Sequence, residues 1–172
     1  EAVREHGSRF QRLGFGYRYD DGTQSPLPKL ADPTPLDFPG FLNWYSIASR
    51  SDAMWVVQRE TFREVPIPTG RGDHLLYAFA FNSIYRSLLL PTVTSALHTD
   101  SSNRLTSAKV QYNEGARHGA RQEALVWQTL LERYGEETLR LAPAVHKQLS
   151  RARIISLLVA GDRRAALAEW DR

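Results

Sequence analysis

The sequence contains no cysteine. That excludes structural disulfides, thiolate metal sites and cysteine nucleophiles, and it fits a reducing compartment. No apolar run approaches the roughly 20 residues that a membrane helix needs. The start, Glu-Ala-Val-Arg, has no signal-peptide layout and no initiator methionine. It fits a processed chain or part of a longer one. An excess of one charge is also missing. The 22 basic and 19 acidic residues are interspersed, for a net charge of +3. Without a basic stripe a nucleic-acid binder is disfavoured, while an anionic ligand stays open. Gly70 and Gly72 are too few for a phosphate-cradling loop. No Ser-His-Asp arrangement, paired carboxylates, nucleophile elbow or zincin spacing is present.

What is there describes a globular protein. The 172 residues suffice for one domain with a core, and 42% are hydrophobic, with four tryptophans. The stretch from Asp52 to Asn103 organises the rest. Ala53 to Val57 is a short apolar run of strand character. Pro66, Pro68, Gly70 and Gly72 then break regular structure. Asp73 stands at a helix N-cap position, before Leu75, Leu76, Phe79, Ala80, Ser83 and Ile84 at helical spacing. Pro91 ends that helix or starts the next element. Thr92 to Leu97 is β-branched and apolar, and delivers His98 at its end.

Around this centre, Ala2 to Leu13 reads as a helix with Val3, Phe10 and Leu13 near one face. Phe15 to Tyr19 reads as a strand closed by the turn Asp20-Asp21-Gly22. Ser25 to Gly40, with five prolines, reads as a long loop. Phe41 to Ala48 suits a short helix or a strand. Beyond Asn103 the pattern becomes helical. Ala124, Leu125, Trp127, Leu130, Leu131 and Tyr134 mark a helix that Gly135 stops. Glu136 to Leu141 continues as a short helix, and Pro143 starts another. Gly161-Asp162 turns into a last helix with Ala166, Leu167 and Trp170 facing inward. The expected organisation is an α/β (α+β) region over 1–104 and a helical subdomain over 105–172, almost wholly helical.

Each candidate site residue has a plain structural explanation beside the functional one. Asp73 is either a helix cap, worth about 1 kcal/mol, or a general base beside a glycine loop. Arg71-Gly72-Asp73 spells an adhesion tripeptide, and three residues carry almost no information. His98 is either a surface histidine or a ligand for a divalent metal or phosphate oxygen. His74 is a weaker candidate, and His6, His118 and His146 lie in polar helical contexts that suit solvation. Asp20 and Asp21 suit a turn better than a metal. Trp44, Tyr45 and Trp55 suit a core cluster or a sugar-stacking surface. Arg50, Arg59 and Arg104 are phosphate candidates.

Three segments carry a resemblance. Ala53-Met54-Trp55-Val56-Val57-Gln58-Arg59-Glu60-Thr61-Phe62-Arg63-Glu64-Val65 resembles a strand followed by an Arg-Glu-x-Phe segment. Gly72-Asp73 before an apolar helix resembles a Glu-Asp motif whose aspartate is the base. Pro91 to Ser102 resembles the following strand, which ends in a histidine near the metal and diphosphate. Together they resemble the C-terminal half of a bacterial, inverting, family 2-type glycosyltransferase of the GT-A fold. Phe15 to Gly22 is similar to the strand and Asp-Gly turn that follow the family's Asp-x-Asp. Here Gly72 replaces the glutamate, no Asp-x-Asp is present, and the nucleotide-binding strands are absent. The resemblance thus implies the acceptor-side part of such an enzyme, its partner being the missing N-terminal half.

On that resemblance a sugar passes from a nucleotide-sugar donor to a hydroxyl of a sugar or lipid-linked acceptor, in the cytoplasm. Asp73 is the implied base. His98 serves a divalent metal, Mg or Mn, or the leaving diphosphate. Arg59 and Arg104 hold phosphate. Trp44, Trp55 and Gly72 shape the acceptor site. Two other readings stand beside it: a non-catalytic helical protein-interaction module, and a metal-dependent hydrolase using Asp73, His74 and His98.

Overall fold

The computed structural model describes residues 1–19, 22–25, 30–47, 53–66, 73–97 and 114–170. The fold is mixed, as expected: a five-stranded sheet of parallel and antiparallel pairs, with helices. It divides into two compact units. One comprises Glu1–Pro66 with Ala80–Ala108, and the other Ile67–Phe79 with Lys109–Arg172.

The sheet unit is built on β1, Arg12–Tyr19. One edge of β1 pairs antiparallel with β2, Gln24–Ser25, and with β4, Met54–Val57. The other edge pairs parallel with β5, Ser87–Leu97. β5 then pairs antiparallel with β3, Thr34–Leu36. Ser87, Leu88, Leu89 and Leu90 are all buried. A central strand covered on both faces shows such a run without alternation.

Glycine lets the strands approach. A Cβ on Gly14 would lie 2.6 Å from the Trp55 indole and from Leu89, closer than carbon atoms pack. Trp55 is the cross-strand partner of Gly14 on β4, and Leu89 its partner on β5. At the end of β1, Tyr19 N–H donates to the Thr23 carbonyl at 2.8 Å, and Gly22 N–H to the Tyr19 carbonyl at 3.0 Å. Gly22 has φ +79, the left-handed region that favours glycine.

Several expectations are corrected here. The first helix, α1, covers only Ala2–His6. Phe10 and Leu13 pack with Leu88 and Leu90 in the sheet's core, whereas Val3 is 54% exposed. The proline-rich stretch is not all loop. It contains β3 and the start of α2, Phe38–Ile47. Asp37 caps α2, accepting from the Gly40 N–H at 2.9 Å. That helix settles the undecided stretch after Phe41. Pro91 lies inside β5 rather than at its border. Pairing runs from Phe15↔Leu90 to Gly16↔Val93, so Pro91 and Thr92 fall in a bulge. A residue without an N–H is tolerated there because no ladder bond is required of it. Helix α3, Asp73–Ile84, takes Asp73 as its first residue, one position past the N-cap expected for it.

The second unit contains α4, Glu114–Leu141, α5, Pro143–Ala160, and α6, Arg163–Trp170. From 114 to 170 the chain is helical except at its turns. Gly135 does not stop α4. It lies on the buried stripe with Leu130 and Thr138, so packing against α5 offsets its low helix propensity. Pro143 opens α5 as expected. Gly161 closes it with φ +87, and the Asp162 N–H reaches back to the Leu157 carbonyl at 2.9 Å. Asp162 then caps α6 through the Ala165 N–H at 3.0 Å. On α6 only Ala166 is buried. Leu167 and Trp170 are exposed, against expectation, because α6 is short and covers one narrow face.

Candidate functional site

The backbone of Asp73 opens α3, and β5 runs to Leu97, the residue before His98. Leu97 is the register partner of Tyr19. His98, Gly72, Arg104, Arg50, Asp20 and Asp21 lie outside the described residues. His74 is exposed, one position into α3. Arg59 is exposed at the start of the 3-10 helix Arg59–Arg63. Among the described residues no group of three or more His, Asp or Glu side chains could hold a metal. The Mg or Mn that the resemblance implies would rest on His98, which lies outside the described residues. No helix of the described residues is long and apolar enough to cross a membrane.

Trp44 and Trp55 belong to packed surroundings. Trp44 is buried on α2, and its indole Nε1 finds no hydrogen-bond partner among the described residues. Trp55 is half-buried on β4. The Arg12 guanidinium lies 3.9 Å from the centre of the Trp55 ring and 4.6 Å from that of Phe81. Arg12 is 3% exposed. Its Nε donates to Ser87 Oγ at 3.0 Å, and Ser87 Oγ donates to Asn82 Oδ1 at 2.9 Å. A cation held between two rings, with its donors directed, is attracted by both ring faces. The cluster ties β1, β4, α3 and β5 together and presents no open charge to a ligand.

The sequence reading passed over Arg12. The available signal was an arginine at positions i, i+2 and i+4 with Gly14 and Gly16. Two glycines on one strand face leave room for aromatic rings from neighbouring elements.

Two tyrosines have displaced acidities. Burial pushes the Tyr45 hydroxyl above its ordinary value. Tyr85 is pushed up first by desolvation, then by its hydrogen bond with Glu64 and that carboxylate's charge.

The helical unit holds a separate groove between α4, α5 and α6. Its volume is about 580 Å³, and Gln128, Glu132, His146, Arg153, Glu169 and Trp170 line it. Arg153 Nη1 and Glu169 Oε2 pair at 2.7 Å. Gln128 Nε2 donates to Glu132 Oε1 at 2.7 Å. His146 is half-buried rather than solvated as expected, because the α4–α5 packing encloses it. Its Nδ1 is 3.0 Å from the Gly135 carbonyl. Thr138 Oγ lies 3.3 Å from the same nitrogen, so whether Nδ1 donates or accepts follows the ring's tautomer.

No protein-family model, curated protein or solved structure matches the chain.

Proposed function

We propose that this chain is the acceptor-side part of a bacterial, cytoplasmic, family 2-like GT-A glycosyltransferase. It moves a sugar from a nucleotide-sugar donor to a hydroxyl of a sugar or lipid-linked acceptor, with inversion. One observation carries the reading: a helix whose first residue is Asp73, followed by a strand that ends one residue before His98. That order of acid, helix, strand and histidine is the order that the resemblance requires.

An acceptor hydroxyl is a poor nucleophile. A carboxylate within hydrogen-bond reach must take its proton as the oxygen attacks the anomeric carbon. Asp73 has that role. Attack from the face opposite the diphosphate inverts the centre and releases the diphosphate, whose developing negative charge needs stabilisation. His98, with Arg59 and Arg104, supplies donors to it. The donor's nucleotide belongs to the other half of the enzyme.

The test is Asp73→Asn in the full-length gene product that contains this chain. Asparagine caps a helix about as well as aspartate, yet it cannot take a proton. Turnover of nucleotide-sugar is expected to fall by roughly a hundredfold or more, the scale of a general base, with the thermal midpoint unchanged. Normal turnover would leave Asp73 with no catalytic role.

The second reading, a docking module without catalysis, is favoured by the exposed apolar residues Ile155, Leu158 and Leu167 of the helical unit. It requires no turnover in the full-length protein, so the same assay separates the two.

A further inference from the structure

We infer that the groove between α4, α5 and α6 is a binding site for a neutral saccharide. Its volume of about 580 Å³ falls within the range of small-ligand sites, about 300–1,000 Å³.

Trp170 forms part of the lining and is 73% exposed. Trp170 is the last residue of the short helix α6, one turn beyond the buried Ala166. An open indole offers a flat, electron-rich face. The C–H groups on one side of a sugar ring are weakly positive and match such a face.

The remaining lining carries both signs. Arg153 pairs with Glu169, and Glu132 adds a second carboxylate that would repel an anion. A ligand of many hydroxyls both donates and accepts, so it satisfies both signs at once. The Arg153–Glu169 pair at 2.7 Å sets a donor beside an acceptor. Neighbouring hydroxyls of a sugar need that arrangement. The Gln128 amide and the Glu132 carboxylate, joined at 2.7 Å, offer a second such set. His146 adds an oriented ring, its Nδ1 held 3.0 Å from the Gly135 carbonyl and 3.3 Å from Thr138 Oγ. The lining is therefore directional before any ligand arrives, which lowers the ordering cost of binding.

This inference is independent of the role proposed for Asp73. A chain without transferase activity would still bind sugar here, and Asp73→Asn would leave the binding intact.

The test uses the intact chain, labelled with nitrogen-15. The indole N–H signals are followed as maltose, cellobiose, lactose and chitobiose are added. Inorganic phosphate and spermidine serve as charged probes. Trp170→Ala identifies the Trp170 signal by its loss, and the side chain's exposure predicts an unchanged thermal midpoint. The expected result is a saturable shift of that signal with at least one saccharide, with a dissociation constant of about a millimolar. In Trp170→Ala, binding of that saccharide weakens by about tenfold or more, the scale of losing a central aromatic anchor. No saturable shift with any of the four sugars overturns the inference. So does saturation by phosphate or spermidine alone, or a loss of less than tenfold in the variant.

Discussion

The two units spend their charged residues differently. In the sheet unit, Arg12 is enclosed between Trp55 and Phe81, and its hydrogen bond to Ser87 is internal. In the helical unit, Arg153 and Glu169 pair along the wall of a groove. The same side-chain type holds a fold together in one place and lines a cavity in the other. The difference follows from burial. Arg12 is 3% exposed and closed to any ligand, whereas Arg153 and Glu169 lie on the lining of a groove.

The comparison breaks most sharply at Arg12. Arg12→Ala removes a charge-assisted hydrogen bond and two ring contacts from a buried site. The expected loss is about 3 kcal/mol of stability, read from chemical denaturation of the intact chain. An unchanged midpoint would show that the enclosed guanidinium holds nothing. A pair of identical substitutions sharpens the contrast next. Gly14→Ala puts a Cβ 2.6 Å from Trp55 and Leu89 and should cost about 2 kcal/mol through overpacking. Gly135→Ala meets only His146 Cε1, at 3.8 Å, an ordinary contact. Inside a helix that replacement should instead raise stability by roughly 0.5–1 kcal/mol. Thermal midpoints that move in the same direction would contradict this assignment.

The smallest effect is titration. Tyr45 is favoured in its neutral form by burial, so its acidity in the fold lies above the ordinary value of 10.0. Its contribution is present in full below pH 10 and is lost as pH rises through the higher folded value. Stability should therefore decline above pH 10, and Tyr45→Phe should flatten the decline. An identical slope in the variant would place the titration elsewhere.

Legibility in the sequence divides along the same line. The helical unit could be read because its signals are local. Pro143 and Gly161 sit at helix borders, and the apolar spacing repeats over single turns. Its errors come from tertiary packing: Gly135 is held helical by α5, and Leu167 and Trp170 are left uncovered by a short helix. The sheet unit was legible only in part. The strand at Met54–Val57 and the helix start at Asp73 carry local signals. β3 and the cap at Asp37 were hidden among prolines, since pairing with β5 makes Thr34–Leu36 a strand and composition does not. Arg12 could not be placed without knowing that Ser87 lies beside it. Of the candidate site, the border positions of Asp73 and Leu97 were readable. The groove at Trp170 was not, because three helices must meet to form it.

The pairing of β1 with β5 also sets a schedule for synthesis. Arg12 and Ser87 are 75 residues apart, and at about 5–20 residues per second that distance takes roughly 4–15 s to translate. β2 and β4 emerge earlier and pair with one edge of β1. The other edge, with its row of unpaired amides and carbonyls, waits for the whole interval. An open edge of this kind templates pairing with foreign strands. Until Leu97 emerges, β1 therefore lacks its native partner on that edge, and a slow codon stretch within those residues would lengthen the interval.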